Sequence, residues 1–169
     1  IDHSILSSIG QTFAWIFSPL GWGDWKAAVA SVTGLIAKEN VVATFGQLYG
    51  FAEVAEEGNE FWGQLSASFT PLAAYSFMVF NLLCAPCFAA MGAIKREMNS
   101  AKWTWFAIGY QCVFAYVISL IVYQLGLLFT GSGNVIGVIF AAAFIALIAF
   151  MLFKPYTEAN KLTAKVRIK

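Results

Sequence analysis

Cys84-Ala85-Pro86-Cys87 sets two thiols three residues apart, with a proline between them, inside an apolar stretch long enough to cross a bilayer. Cysteine sulfur suits softer transition metals such as ferrous iron, copper(I) and zinc better than Mg²⁺ or Ca²⁺. The i, i+3 spacing puts both sulfurs on one helix face, and Pro86 deprives the carbonyl of Leu82 of its usual partner. Met78 and Tyr75 are candidate neighbours on the same stretch. The opposing reading is that cysteine in an apolar helix simply packs as a small hydrophobe.

A second set lies near the middle of an earlier apolar run, where Thr33, Gly34, Lys38, Glu39 and Asn40 interrupt it. A charge at the bilayer centre costs on the order of 2.5–3.5 kcal/mol on insertion scales, so Lys38 and Glu39 need compensation. They form an internal salt bridge, or they mark a pathway. In the latter case Thr33-Gly34 weakens the helix, Glu39 and Asn40 face polar space, and Lys38 pairs with an acid or reaches for the interface. Cys112, Gln111 and Gln124 are weaker signals, and interhelical hydrogen bonding is the default for Gln111. His3 is the only histidine and is assigned nothing. No Ser/His/Asp set, H-E-x-x-H or phosphate-cradling glycine loop is present, so catalysis within this chain is not expected.

The elements that must position these groups are membrane helices. Hydrophobic residues make up 60% of the 169, and charged residues only 11%, against roughly 45–50% apolar in an average soluble domain. The net charge of +1 comes from basic residues at the ends of apolar runs, which excludes a nucleic-acid surface. An all-α polytopic bundle of about four transmembrane helices is expected, with spans near 25–49, 71–94, 103–129 and 135–153 and a break in the first near Gly34. Residues 1–24 read as an interfacial amphipathic helix followed by a headgroup-level turn carrying Trp22 and Trp25, with Asp24 capping the next helix. Two spans fill 25–94, two more fill 95–153, and 154–169 form a basic tail. The last span shows a small-residue face of Ala142, Ala146 and Ala149 suited to close packing. Lysine and arginine collect at 95–102 and in the tail, while 130–134 carries no charge; with four crossings, both ends fall in the cytoplasm. The start at Ile1, without a signal peptide, reads as a piece of a longer protein, and the three cysteines are expected to be reduced.

Pro19-Leu20-Gly21 with Asp24-Trp25, Thr33-Gly34-Leu35-Ile36-Ala37-Lys38-Glu39-Asn40-Val41-Val42, Pro71-Leu72-Ala73-Ala74-Tyr75-Ser76, Leu82-Leu83-Cys84-Ala85-Pro86-Cys87, and Arg96-Glu97 with Lys102-Trp103 occur in that order. Together they resemble the C-terminal membrane region of the FeoB family of ferrous iron transporters, over about Ser18 to Gln124. The resemblance implies a bacterial inner-membrane protein that takes up Fe²⁺, built from two Gate-type repeats. This chain looks like the second repeat together with the spans C-terminal to it. The resemblance further implies an upstream GTPase domain using GTP and Mg²⁺, a first repeat elsewhere in the same protein, the lipid bilayer as surroundings, and a homo-oligomer. Cys87 matches the family's Pro-Cys cysteine and Lys38-Glu39 its A-K-E motif, whereas Cys84 stands where many members have an aromatic residue.

Three functions are compatible with these residues. The first is a ferrous iron permease segment lined by Cys87, Cys84, Glu39 and Asn40, with Lys38, Thr33, Gly34, Pro86, Tyr75 and Met78 lining or supporting the route. The second is a nucleoside or other small-solute carrier of the Gate superfamily, and the third a membrane assembly subunit with no pathway.

Overall fold

The computed structural model describes residues 5–34, 40–51, 62–131 and 135–154. Among the described residues eight α-helices run in chain order: α1 (Ile5–Phe17), α2 (Trp25–Thr33), α3 (Asn40–Leu48), α4 (Trp62–Ser68), α5 (Pro71–Leu83), α6 (Phe88–Met98), α7 (Ala101–Phe129) and α8 (Val135–Phe153). No strand occurs among the described residues, and the molecule is the helical membrane bundle its composition demands. Among the described residues three stretches are long and apolar enough to cross a membrane: Pro71–Met98, Ala101–Phe129 and Val135–Phe153.

The fourth expected crossing, 25–49, takes a different course. A continuous helix would separate Thr33 from Thr44 by about 16 Å and Lys26 from Tyr49 by about 34 Å. Instead the Thr33 and Thr44 hydroxyls are 3.0 Å apart, and Lys26 Nζ lies 4.3 Å from the centroid of the Tyr49 ring. The chain therefore folds back, and α2 and α3 are the antiparallel arms of a helical hairpin. Each arm has nine residues, about 13.5 Å, or less than half the hydrocarbon thickness. The interruption expected near Gly34 is thus real, since α2 ends at Thr33, but it reverses the chain. Placing both ends of the chain on one side required this crossing to complete an even number, and that support is lost with it.

α5 and α7 form the spine. They are antiparallel, with Leu72 against Gly126, Ser76 against Ser119 and Cys84 against Cys112. A side chain at Gly126 would overlap Leu72, so glycine is what lets the helices approach there. Ser76 and Ser119 are fully buried; their hydroxyls are 2.8 Å apart, and Ser119 Oγ donates to the Ser76 carbonyl at 2.7 Å. α5 starts where Thr70 Oγ1 accepts from Ala73 N–H and Pro71 occupies the first turn.

α1 turns Ser7, Gly10 and Ala14 inward and leaves Ile9, Phe13 and Trp15 exposed, because Gly10 sits against Trp25 and Val29 of α2 and only a small-residue stripe fits there. Trp22 is buried against protein: it stacks on Phe17 at 4.4 Å and meets Phe77 edge-on at 5.1 Å. Asp24 is the N-cap residue of α2, yet its side chain makes no capping hydrogen bond. Gly21 follows the short 3-10 turn at Ser18–Leu20 with φ 88°, a left-handed conformation that suits glycine. That turn is held to α7 by Gln124 Nε2, which donates to the Pro19 carbonyl at 3.0 Å. α8 packs on α7 through Ala141, Phe144 and Ile148, whereas Ala142 and Ala146 of the expected small-residue face are exposed.

Candidate functional site

Two interruptions of helix lie in this bundle, and the candidate residues cluster at both. At the first, Thr33 ends α2: its hydroxyl bonds back to the Ala30 carbonyl at 2.9 Å and across to Thr44 at 3.0 Å. A Cβ on Gly34 would lie 2.7 Å from Val41 Cγ2, so the absence of a side chain is what lets the second arm pass. Asn40 is the exposed first residue of α3. Lys38 and Glu39, in the connection between the arms, lie outside the described residues.

The hairpin docks on α5 through aromatic contacts. Phe45 meets Phe77 at 5.5 Å and Phe69 at 6.0 Å, and Val41, Val42 and Met78 share a cleft of about 270 Å³ with them. At the other end of the arm Tyr49 reaches Ser68. α3 and α5 therefore run in opposite directions, and Asn40 lies toward the Leu83 end of α5. Burial pushes the Tyr49 phenol above its ordinary pKa, the nearby Ser68 hydroxyl pulls it back, and the charge of Asp24 raises it further, so the ring under Lys26 stays neutral.

The second interruption is the cysteine segment. α5 stops at Leu83, Cys84 is extended (φ −61°, ψ 169°), and Cys87 is the equally extended N-cap of α6 (φ −59°, ψ 160°). The break starts two residues before Pro86, as expected from the restriction proline places on its predecessor and the helix bond it removes. One expectation is overturned here. Because residues 84–87 are not helical, the i, i+3 spacing does not set Cys84 and Cys87 on a common helix face. Cys84 instead meets Cys112 of α7, Sγ to Sγ 3.8 Å, a partner 28 residues away. Cys87 Sγ makes no hydrogen bond with the described residues, and all three cysteines are half-buried thiols outside any disulfide. Among the described residues no group of three or more His, Cys, Asp or Glu is placed to hold a metal ion.

Of the remaining candidates, Met78 reaches the cleft shared with α3, while Tyr75 is 55% exposed on the outer face of α5 and joins neither interruption. Cys112 was the weaker sequence signal and is the residue the register of α5 on α7 promotes. Its position opposite Cys84 follows from the pairing of Ser76 with Ser119.

A helical membrane bundle with a short folded-back hairpin beside a broken span is the architecture of a membrane protein built around discontinuous helices. Residues 1–101 match the Gate family, described as nucleoside recognition, and the chain belongs to that family. It is 42% identical over 126 residues to the Fe(2+) transporter FeoB of Methanocaldococcus jannaschii, covering 75% of this chain and 18% of that protein. To the Fe(2+) transporter FeoB of Staphylococcus aureus strain COL it is 39% identical over 129 residues, 76% of this chain and 19% of the relative. A fusion of Fe(2+) transport protein A with Fe(2+) transporter FeoB from Porphyromonas gingivalis is 33% identical over 138 residues, 76% of this chain and 16% of the relative. The chain thus spans less than a fifth of the length of these curated relatives. No solved structure matches it.

Proposed function

We propose that this chain is part of a ferrous iron permease, in which Fe²⁺ exchanges water for sulfur and oxygen ligands while crossing. The observation that carries this reading is the similarity, over three quarters of the chain, to proteins named Fe(2+) transporters. The broken α5–α6 segment and the α2–α3 hairpin support it, because helix ends at membrane depth offer backbone and side-chain groups that a continuous helix keeps to itself. Cys87 is the leading ligand, with Cys84, Glu39 and Asn40 beside it; Lys38 balances charge, and Thr33, Gly34 and Pro86 shape the interruptions. Met78 lines the cleft and Tyr75 supports from outside. The ion is cargo. A GTPase domain elsewhere in the whole protein, using GTP and Mg²⁺, drives or gates its movement, and a first Gate-type repeat and homo-oligomer assembly belong to the same reading.

The membrane is the inner, or plasma, membrane. The basic stretch at 95–102 and the tail at 154–169 face the cytoplasm, and the uncharged turn at 130–134 faces the opposite side. With α5–α6, α7 and α8 as crossings, Pro71 and the base of the hairpin fall on that opposite side.

Fe²⁺ uptake by the intact protein tests the reading. Cys87→Ser and Glu39→Ala should each lower uptake about tenfold or more, as expected for lost ligands of a transition ion. Normal uptake in both variants would overturn it. The Gate model's description, nucleoside recognition, favours one competitor: a carrier in which Glu39 and Asn40 hydrogen-bond a sugar. Metal-independent binding of uridine would establish that competitor.

A further inference from the structure

We propose that Cys84 and Cys112 form a two-thiolate half-site for a tetrahedrally coordinated divalent transition ion, separate from Cys87. The identification of that ion with the cargo rests on the permease reading above; the half-site itself rests on geometry. The sulfurs are 3.8 Å apart. A tetrahedral ion with metal–sulfur bonds of about 2.3 Å spans two of its sulfurs by about 3.8 Å, so the pair subtends such an ion without rearrangement. A linear two-coordinate ion with bonds of that length would need about 4.6 Å, and a disulfide needs about 2.05 Å.

The two ligands come from unlike supports. Cys112 sits within the uninterrupted α7, whereas Cys84 is the extended C-cap residue of α5, presented at a helix end. Binding converts two thiols and a divalent cation into a neutral bis-thiolate complex and releases two protons. That neutrality matters between two spans, where an uncompensated charge is costly. The two remaining coordination positions are left for water or for oxygen donors met along the route.

Cobalt(II), an air-stable probe that prefers tetrahedral sulfur sites, tests this on the reduced, intact protein in nanodiscs. Thiolate-to-cobalt charge-transfer absorption should appear on titration. It should fall by about half, with affinity weakened about tenfold or more, in Cys84→Ser and in Cys112→Ser, and its two-thiolate component should vanish in the double variant. Full intensity in Cys112→Ser, or an undiminished band in the double variant, overturns the half-site.

Alkylation of the unsubstituted protein gives a second readout that needs no variant to fold. Cobalt should slow modification of Cys84 and Cys112 together, by about tenfold or more. A Cys112 rate unchanged by cobalt overturns the proposal and leaves the pair as a packing contact. Failure here with Fe²⁺ uptake still dependent on Cys87 sinks only the half-site. Normal uptake in Cys87→Ser and Glu39→Ala with the cobalt signature intact sinks only the permease reading.

Discussion

The bundle interrupts its helices twice, and it solves the two interruptions differently. Between α2 and α3 the chain reverses, and the short arms are clasped laterally: Thr33 to Thr44 near the turn, Lys26 over Tyr49 at the base, Gly34 giving Val41 room between them. Between α5 and α6 the chain breaks at Cys84–Cys87 but keeps going, and both halves lean on the same partner, α7. A reversal has to hold itself together, because neither arm is long enough to be fixed by the bilayer. A break in a through-going span is held from outside, by a seam with a continuous helix. The first is therefore sensitive to small groups within the hairpin, and the second to the one residue that forbids helix and to the register against α7.

Removing that residue should give the largest effect. Proline disfavours a helix interior by roughly 3 kcal/mol, so Pro86→Ala lifts a bias of about that size against joining α5 to α6. The joined helix would carry Cys84 away from its extended position opposite Cys112. Disulfide formation between Cys84 and Cys112 under mild oxidation should then drop at least several-fold, with Fe²⁺ uptake falling alongside. Unchanged cross-linking would mean that the break is held by α7 and not by proline.

Gly34→Leu attacks the other interruption. The added side chain runs into Val41, and overpacking of this kind costs about 1–3 kcal/mol. Thermal unfolding in detergent should shift down, and cross-linking of Cys84 to Cys112 should not change. If both readouts move together, the two interruptions are one cooperative unit and the contrast between them fails.

Legibility in the sequence divides along the same line. In the broken span only the weakening was readable: Pro86 removes a helix hydrogen bond wherever it stands, but the sequence reading keeps Cys84 and Cys87 on one helix face, and the full break between them appears only in the structure. The ends of α7 and α8 were readable, since apolar runs of 29 and 19 residues have few alternatives in a bilayer. The hairpin was not, because the residues from Trp25 to Tyr49 have the same composition and periodicity whether the helix continues or doubles back; only the Thr33–Thr44 and Lys26–Tyr49 contacts distinguish the two. Cys112 was passed over because its value depends on the α5–α7 register, set by Ser76, Ser119 and the Gly126 approach. The burial of Trp22 is equally non-local, set by Phe17, Phe77 and Phe80 around it. The packing face of α8 was missed because in lipid every face of that helix is equally apolar, and the choice of Ala141 belongs to α7.

Thr33→Val keeps the shape of the hairpin turn and deletes its hydroxyl clasp. Interhelical hydrogen bonds of this type contribute about 0.6 kcal/mol on average and up to about 1.7, so the loss in stability should be smaller than for Gly34→Leu. Thr33→Ser, which restores the hydroxyl, should recover most of it. A full loss in both would show that the methyl group, not the bond to Thr44, holds the arms.

The smallest effect belongs to the base of the hairpin. Lys26 Nζ lies 4.3 Å from the Tyr49 ring centroid and 5.9 Å from that of Trp25, on the side where Tyr49 also meets Ser68. A cation over an aromatic face near water is worth about 0.5–1 kcal/mol, so Lys26→Gln should lower the unfolding midpoint only slightly, while Lys26→Arg should retain it because a guanidinium stacks on rings as well. The contact also has a pH signature. The Tyr49 phenol is raised by burial and stays neutral, so the folded hairpin disfavours the phenolate; its stabilising share is complete below the ordinary tyrosine range and is lost as pH climbs through it. Tyr49→Phe keeps the ring beneath Lys26 and removes the ionisable group. It should therefore abolish that alkaline loss while leaving the neutral-pH midpoint close to the parent's, an outcome that a hairpin closed only at Thr33 would not give.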